Sequence, residues 1–189
     1  LSFVMGRNIF DFYTGDMSQV MITLFLLTIY GIMVGGISQM REIVKEQDIY
    51  KRERLVNLKI LPYVLSKIWV AALLALYQAV AYTVVHYLSF NMPGGAIEFV
   101  QIYITMALAT FAGMMLGLFA SALAPNSSSA PLIVIILMLP QIVLAGALIP
   151  VPSFVSAPFS TRWAFESLIA ISGSGSDVAA DVCWALPPD

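Results

Sequence analysis

Four apolar runs, each near or above the length needed to cross a bilayer, decide what this chain can fold into. A hydrocarbon core about 30 Å thick is crossed by a helix of about 20 mostly apolar residues. Such runs occupy residues 17–40, 62–90, 98–123 and 131–148. The first follows Asp16, an N-cap residue with Gln19 three positions on. The second opens on Pro62, a favoured first-turn residue, and "NMPGG" and "PNSSSA" punctuate the rest. Backbone groups in lipid must be satisfied within their own segment, so the runs read as helices. The fold class is all-α, a polytopic membrane helical bundle. Composition agrees, since only 11% of residues are charged, against about a quarter in soluble domains.

The few charges are not spread evenly. Ten of the 20 fall between Arg41 and Lys59, and seven of the nine basic residues lie between Arg41 and Lys67. Lys and Arg in short loops stay in the cytoplasm, which puts this segment inside, residues 1–16 and "NMPGG" outside, "PNSSSA" inside and everything after Leu148 outside. Residues 41–57 lack Gly and Pro and are rich in Glu, Lys, Arg and Gln, which predicts a helix. Ile43, Val44, Tyr50, Leu55 and Val56 form an imperfect apolar stripe along it. On composition alone, this is a surface helix that anchors topology and snorkels into headgroups.

Enzyme chemistry finds little footing. No G-x-x-x-x-G-K-[ST] loop is present to cradle phosphates. The single cysteine, Cys183, has no His/Cys company for a metal, and no catalytic residues are assigned. Net charge is −2 without a basic tail, so nucleic acid is not an expected partner. His86 stands alone near the outer end of its span and reads as an interfacial or packed histidine. Gly31 with Gly35, and Ala109, Gly113, Gly117 and Ser121, set small residues at four-residue spacing, a pattern of close helix packing. Pro140 is expected to kink the fourth run, and Gln141 beside it to face the bundle.

The run "IYKRERLVNLKILPYVLSK", residues 49–67, resembles the segment between the second and third spans of G-subfamily (White-type) ABC transporters, with Arg52, Glu53, Tyr63 and Lys67 at the matching positions. Residues 121–150, "SALAPNSSSAPLIVIILMLPQIVLAGALIP", are similar to the fourth-to-fifth span region of bacterial members. The resemblance implies a type-2 ABC exporter permease domain over residues 1–171, with residues 172–189 in an extracytoplasmic loop. It implies that residues 41–57 are a coupling helix, touching an ATPase domain through Glu46, Arg52, Glu53 and Arg54. A substrate cavity would lie between Leu27, Tyr30, Gly31 and Val34 and, facing them, Leu139, Ile142 and Val143. Ala147 and Leu148 would form an outer gate, and residues 150–171 would hold re-entrant or interfacial helices, with Arg162 and Glu166 paired at i, i+4. No cofactor is expected in this chain, ATP and Mg being held by the nucleotide-binding domain. The further partners are a second permease half and the bilayer, and the expected location is a bacterial inner membrane.

The chain opens at Leu1 on an apolar stub and reads as a fragment of a six-span half. The rival readings are an ion-coupled secondary transporter, which needs an ionisable group at depth that the runs lack, and a non-transporting structural subunit. A few polar groups in an apolar cavity suit a lipid-like or amphipathic cargo.

Overall fold

The computed structural model describes residues 17–54, 59–90, 95–145 and 153–172, and among them no strand occurs. The helices are α1 (Met17–Gln39), α2 (Gln47–Arg54), α3 (Ile60–Ser89), α4 (Ala96–Leu123), α5 (Ala130–Val143), α6 (Ser153–Ser156) and α7 (Ser160–Ile171), with a 3-10 turn at Val44–Glu46 between α1 and α2. By length and composition, three of these segments can cross a membrane, and the chain is an integral membrane protein with the expected all-helical bundle.

Helix α4 is the central post, and α1, α3, α5 and α7 all pack against it. Small residues make the tightest of these contacts possible. A β-carbon on Gly113 would stand 2.8 Å from the Cα of Ile32, and one on Gly35 would stand 2.5 Å from the carbonyl oxygen of Thr110. Glycines on both helices therefore let the α1 and α4 backbones meet directly, as the four-residue spacing predicts. Where larger side chains return, they fill the space on either side. Val20, Leu24 and Phe25 of α1 join Ile102 and Met106 of α4 and Phe165 and Leu168 of α7 in one cluster. Ala71 and Ala75 of α3 bring that helix against Met114 and Leu118 of α4.

Two expectations change. The fourth apolar run is helical only from Ala130 to Val143, about 21 Å at the helical rise, and Leu144 and Ala145 form a turn. Pro140 lies inside this helix and supplies no N–H to the ladder; the helix closes one turn later, with the Leu144 N–H donating to the Pro140 carbonyl at 2.9 Å. Residues 146–152, with Ala147 and Leu148, lie outside the described residues.

The second change is in the charged segment, which is not one helix over 41–57. Residues 40–43 turn, 44–46 make the 3-10 turn, and α2 starts only at Gln47. The cause is a tertiary contact: the N–H groups of Ile43 and Val44 donate to the Ser121 hydroxyl oxygen at 2.9 and 3.0 Å, which draws them away from an α-helical ladder. Leu55 and Val56 lie outside the described residues.

Candidate functional site

At the end of the bundle where α1 finishes and α3 begins, opposite charges gather on neighbouring elements. The ammonium of Lys67, the eighth residue of α3, lies 2.6 Å from Glu46 Oε1 and 3.5 Å from Glu42 Oε2. Lys45 meets the other oxygen of Glu42 at 2.7 Å. The Tyr63 hydroxyl donates to Glu46 Oε2 at 3.0 Å, and the rings of Tyr63 and Tyr50 pack with centroids 5.1 Å apart. Lys67 also lies 5.8 Å from the centroid of the Tyr63 ring, within cation–π range. The hydrogen bond from Lys67 holds the Glu46 carboxyl below its ordinary value of 4.5, against the opposing pull of burial. Glu46 is therefore a carboxylate at neutral pH.

The physical reason for the cluster is a lysine on an otherwise apolar helix. Lys67 keeps only 18% of its side chain exposed, and a partly buried ammonium must be paired. Both acids that pair it come from the link between α1 and α2. That link is fixed on its other side by Val44, which is buried with Ala124 and Ala130, and by the Ser121 hydroxyl at the end of α4. The segment is thus held by an ionic clamp to α3 and by a backbone latch to α4. Its remaining face is open: Arg52, Asp48 and Ile49 are exposed.

The residues expected to contact an ATPase are thus treated differently. Glu46 faces inward to Lys67 and Tyr63. Arg52 is exposed, and the side chains of Glu53 and Arg54 lie outside the described residues. Of the expected cavity residues, Tyr30, Leu139 and Val143 are exposed, by 65%, 54% and 41%, on α1 and α5, which are in contact. Leu27, Val34 and Ile142 are half-buried. Gly31 is a correction: a β-carbon there would meet Met106 and Thr110, so it faces α4 inside the bundle, where its lack of a side chain serves packing. A concavity of about 240 Å³ does exist, but between α4 and α7, lined by residues that include Thr105, Leu108, Ser160 and Trp163.

At the far end, Gln141 turns into the bundle as expected. Its side-chain oxygen accepts hydrogen bonds from the Thr161 hydroxyl at 2.8 Å and the Thr161 N–H at 3.3 Å, tying α5 to the start of α7. Arg162 and Glu166 pair at 2.7 Å. His86 is buried on α3, its ring 5.0 Å from that of Phe90. Sequence reasoning missed Glu42 and the latching role of Ser121. The first had a signal, because a lysine on an apolar helix calls for acids nearby; the second had none, because Ser121 reads as one more small residue in a stripe.

The family described as ABC-2 type transporter matches residues 2–169. An "ABC transporter ATP-binding/permease protein" of Mycobacterium tuberculosis is 27% identical over 157 residues, covering 78% of this chain. The chain spans only 18% of that relative's length.

Proposed function

Because the chain belongs to the ABC-2 type transporter family, and is thereby the membrane part of an ABC transporter, we propose that it is one half of an ATP-driven exporter for a lipid-like or amphipathic cargo. Hydrolysis belongs to a nucleotide-binding domain, fused or separate, that holds ATP and Mg; a relative described as ATP-binding/permease supports that pairing. Two permease halves meet through α1 and α5. Closure of the nucleotide-binding domains pushes the charged segment, and alternating access follows in a cavity lined by Leu27, Tyr30, Val34, Leu139, Ile142 and Val143, with Ala147 and Leu148 as its outer gate. The expected home is a bacterial inner membrane.

The observation that carries this reading is the mounting of the charged segment. A helix that only anchors topology has no need of fixtures on two spans, whereas a helix that receives a push must be rigid with respect to the elements it moves. Here α2 follows a link clamped to α3 by Lys67 and latched to α4 by Ser121, and it leaves Arg52 exposed for a partner.

The test exchanges Arg52→Glu with Glu53→Arg. Net charge and helix propensity barely change, so a topology anchor is indifferent to the exchange. A docked helix loses its charge pairing and gains repulsion, which costs several kcal/mol at a buried contact. The full transporter, reconstituted in vesicles with a fluorescent short-chain phospholipid as probe cargo, should lose ATP-driven probe transfer by about tenfold or more. Transfer at the parental rate would overturn the coupling reading. An ion-coupled carrier, the alternative, would instead stop when proton and sodium gradients are collapsed with ATP still present.

A further inference from the structure

Ser121 is 1% exposed, and its hydroxyl oxygen accepts two consecutive backbone N–H groups, those of Ile43 and Val44, from a segment 78 and 77 residues away in sequence. We infer that Ser121 is a positioning residue for transport, latching the coupling segment to α4 so that a push on α2 moves α4. The inference rests on the coupling reading above and adds the route by which motion leaves the segment.

Three observations support that route. First, the covalent path from α2 back into α1 is not a continuous α-helix. It runs through a turn at residues 40–43, closed by contacts such as Met40 N–H to the Ile37 carbonyl at 3.5 Å and Glu42 N–H to the Gln39 carbonyl at 3.2 Å. Second, both bonds to Ser121 are short and buried or half-buried, and a buried N–H that loses its acceptor has no water to replace it. Third, α4 is the helix on which α1, α3, α5 and α7 all pack. An element that moves α4 therefore reaches every described span at once. Val44, seated against Ala124 and Ala130, adds a non-polar seat that limits rotation about the two hydrogen bonds.

Hydrogen–deuterium exchange on the whole transporter in phosphatidylethanolamine/phosphatidylglycerol nanodiscs reads this directly, because amide exchange follows local opening. In the parental protein, ATP with vanadate should change exchange both in residues 41–54 and in the outer half of α4, residues 96–109. Ser121→Ala removes the acceptor. Ser121→Cys keeps nearly the same volume while substituting a weakly accepting sulfur, so it tests the same bond if the alanine variant fails to assemble. Both variants should keep the nucleotide-driven change in residues 41–54 and lose most of it in residues 96–109, while Ser121→Thr, which retains the hydroxyl, should keep both. A simple loss of stability would raise exchange everywhere, with or without nucleotide. An α4 response that survives intact in Ser121→Ala or Ser121→Cys, or that never occurs in the parental protein, overturns the latch. A parental protein whose residues 41–54 ignore nucleotide overturns instead the coupling reading beneath it.

Discussion

Gly113 faces the backbone of Ile32, which a β-carbon at this position would run into. Adding even a methyl there forces two backbones apart, since neither is the far end of a flexible side chain. Overpacking of this kind costs about 1–3 kcal/mol, so Gly113→Val should lower the thermal unfolding midpoint of the detergent-solubilised protein by several degrees. Ala112→Val, on the half-buried neighbour, should shift it far less, and equal shifts would show that the close contact is unimportant. Gln141→Leu is a second case at this scale. It removes the acceptor for the Thr161 N–H and hydroxyl and leaves buried donors unsatisfied at about 1–3 kcal/mol. The loss should register as increased protease sensitivity around residues 153–172, and unchanged cleavage there would count against the tie between α5 and α7.

Between elements, the clamp from Lys67 to Glu42 and Glu46 holds the charged link against α3. Glu46→Lys sets two ammonium groups together where the pair now stands at 2.6 Å. It should uncouple ATP hydrolysis from probe-lipid transfer, and the exchanged protein, Glu46→Lys with Lys67→Glu, should recover much of the coupling. No recovery would mean that the geometry is specific to one polarity or that the pair is not a fixture. The pH dependence has a definite sign. Glu46 titrates below its ordinary value in the folded protein, chiefly through the hydrogen bond from Lys67. Its contribution is complete above that ordinary value and is lost only as pH falls through the lowered one, so neutral and mildly acidic conditions leave the clamp intact. Only the members of this element were legible beforehand: the family resemblance singles out Tyr63, Lys67 and Glu46, but it turns Glu46 toward an ATPase rather than toward Lys67. The break at residues 40–46 was not. Helix propensity favours a continuous helix there, and what overrides it is the Ser121 hydroxyl, supplied by a helix far along the chain. Periodicity along one segment carries no information about such a partner. The same holds for Gly31, whose spacing shows that it packs closely but not on which neighbour.

At the scale of the molecule, the clamp bears on which way the bundle sits in the membrane. Lys45 and Lys67 are neutralised by Glu42 and Glu46, which would weaken an orientation set by net charge. Orientation is instead set by Lys and Arg themselves, with acidic residues contributing little, and Arg41, Arg52 and Lys59 remain exposed at the same end. The opposite end offers Glu98, whose carboxylate accepts from the Gly95 N–H at 2.6 Å, and the ion pair of Arg162 with Glu166. Helices α3 and α4, of 30 and 28 residues, are about 45 and 42 Å long, enough to set these two ends on opposite sides of the membrane. In a Cys183→Ser background, Arg52→Cys should therefore react with membrane-impermeant maleimide only after cells are opened. Ile97→Cys, 71% exposed at the start of α4, should react in cells whose inner membrane is intact. The exchange of Arg52 with Glu53 leaves the basic count unchanged and should leave this pattern unchanged, so a loss of transfer in that variant cannot be laid to inversion. The opposite labelling pattern would place the charged segment outside, out of reach of any cytoplasmic ATPase, and with it would fall both the coupling helix and the Ser121 latch.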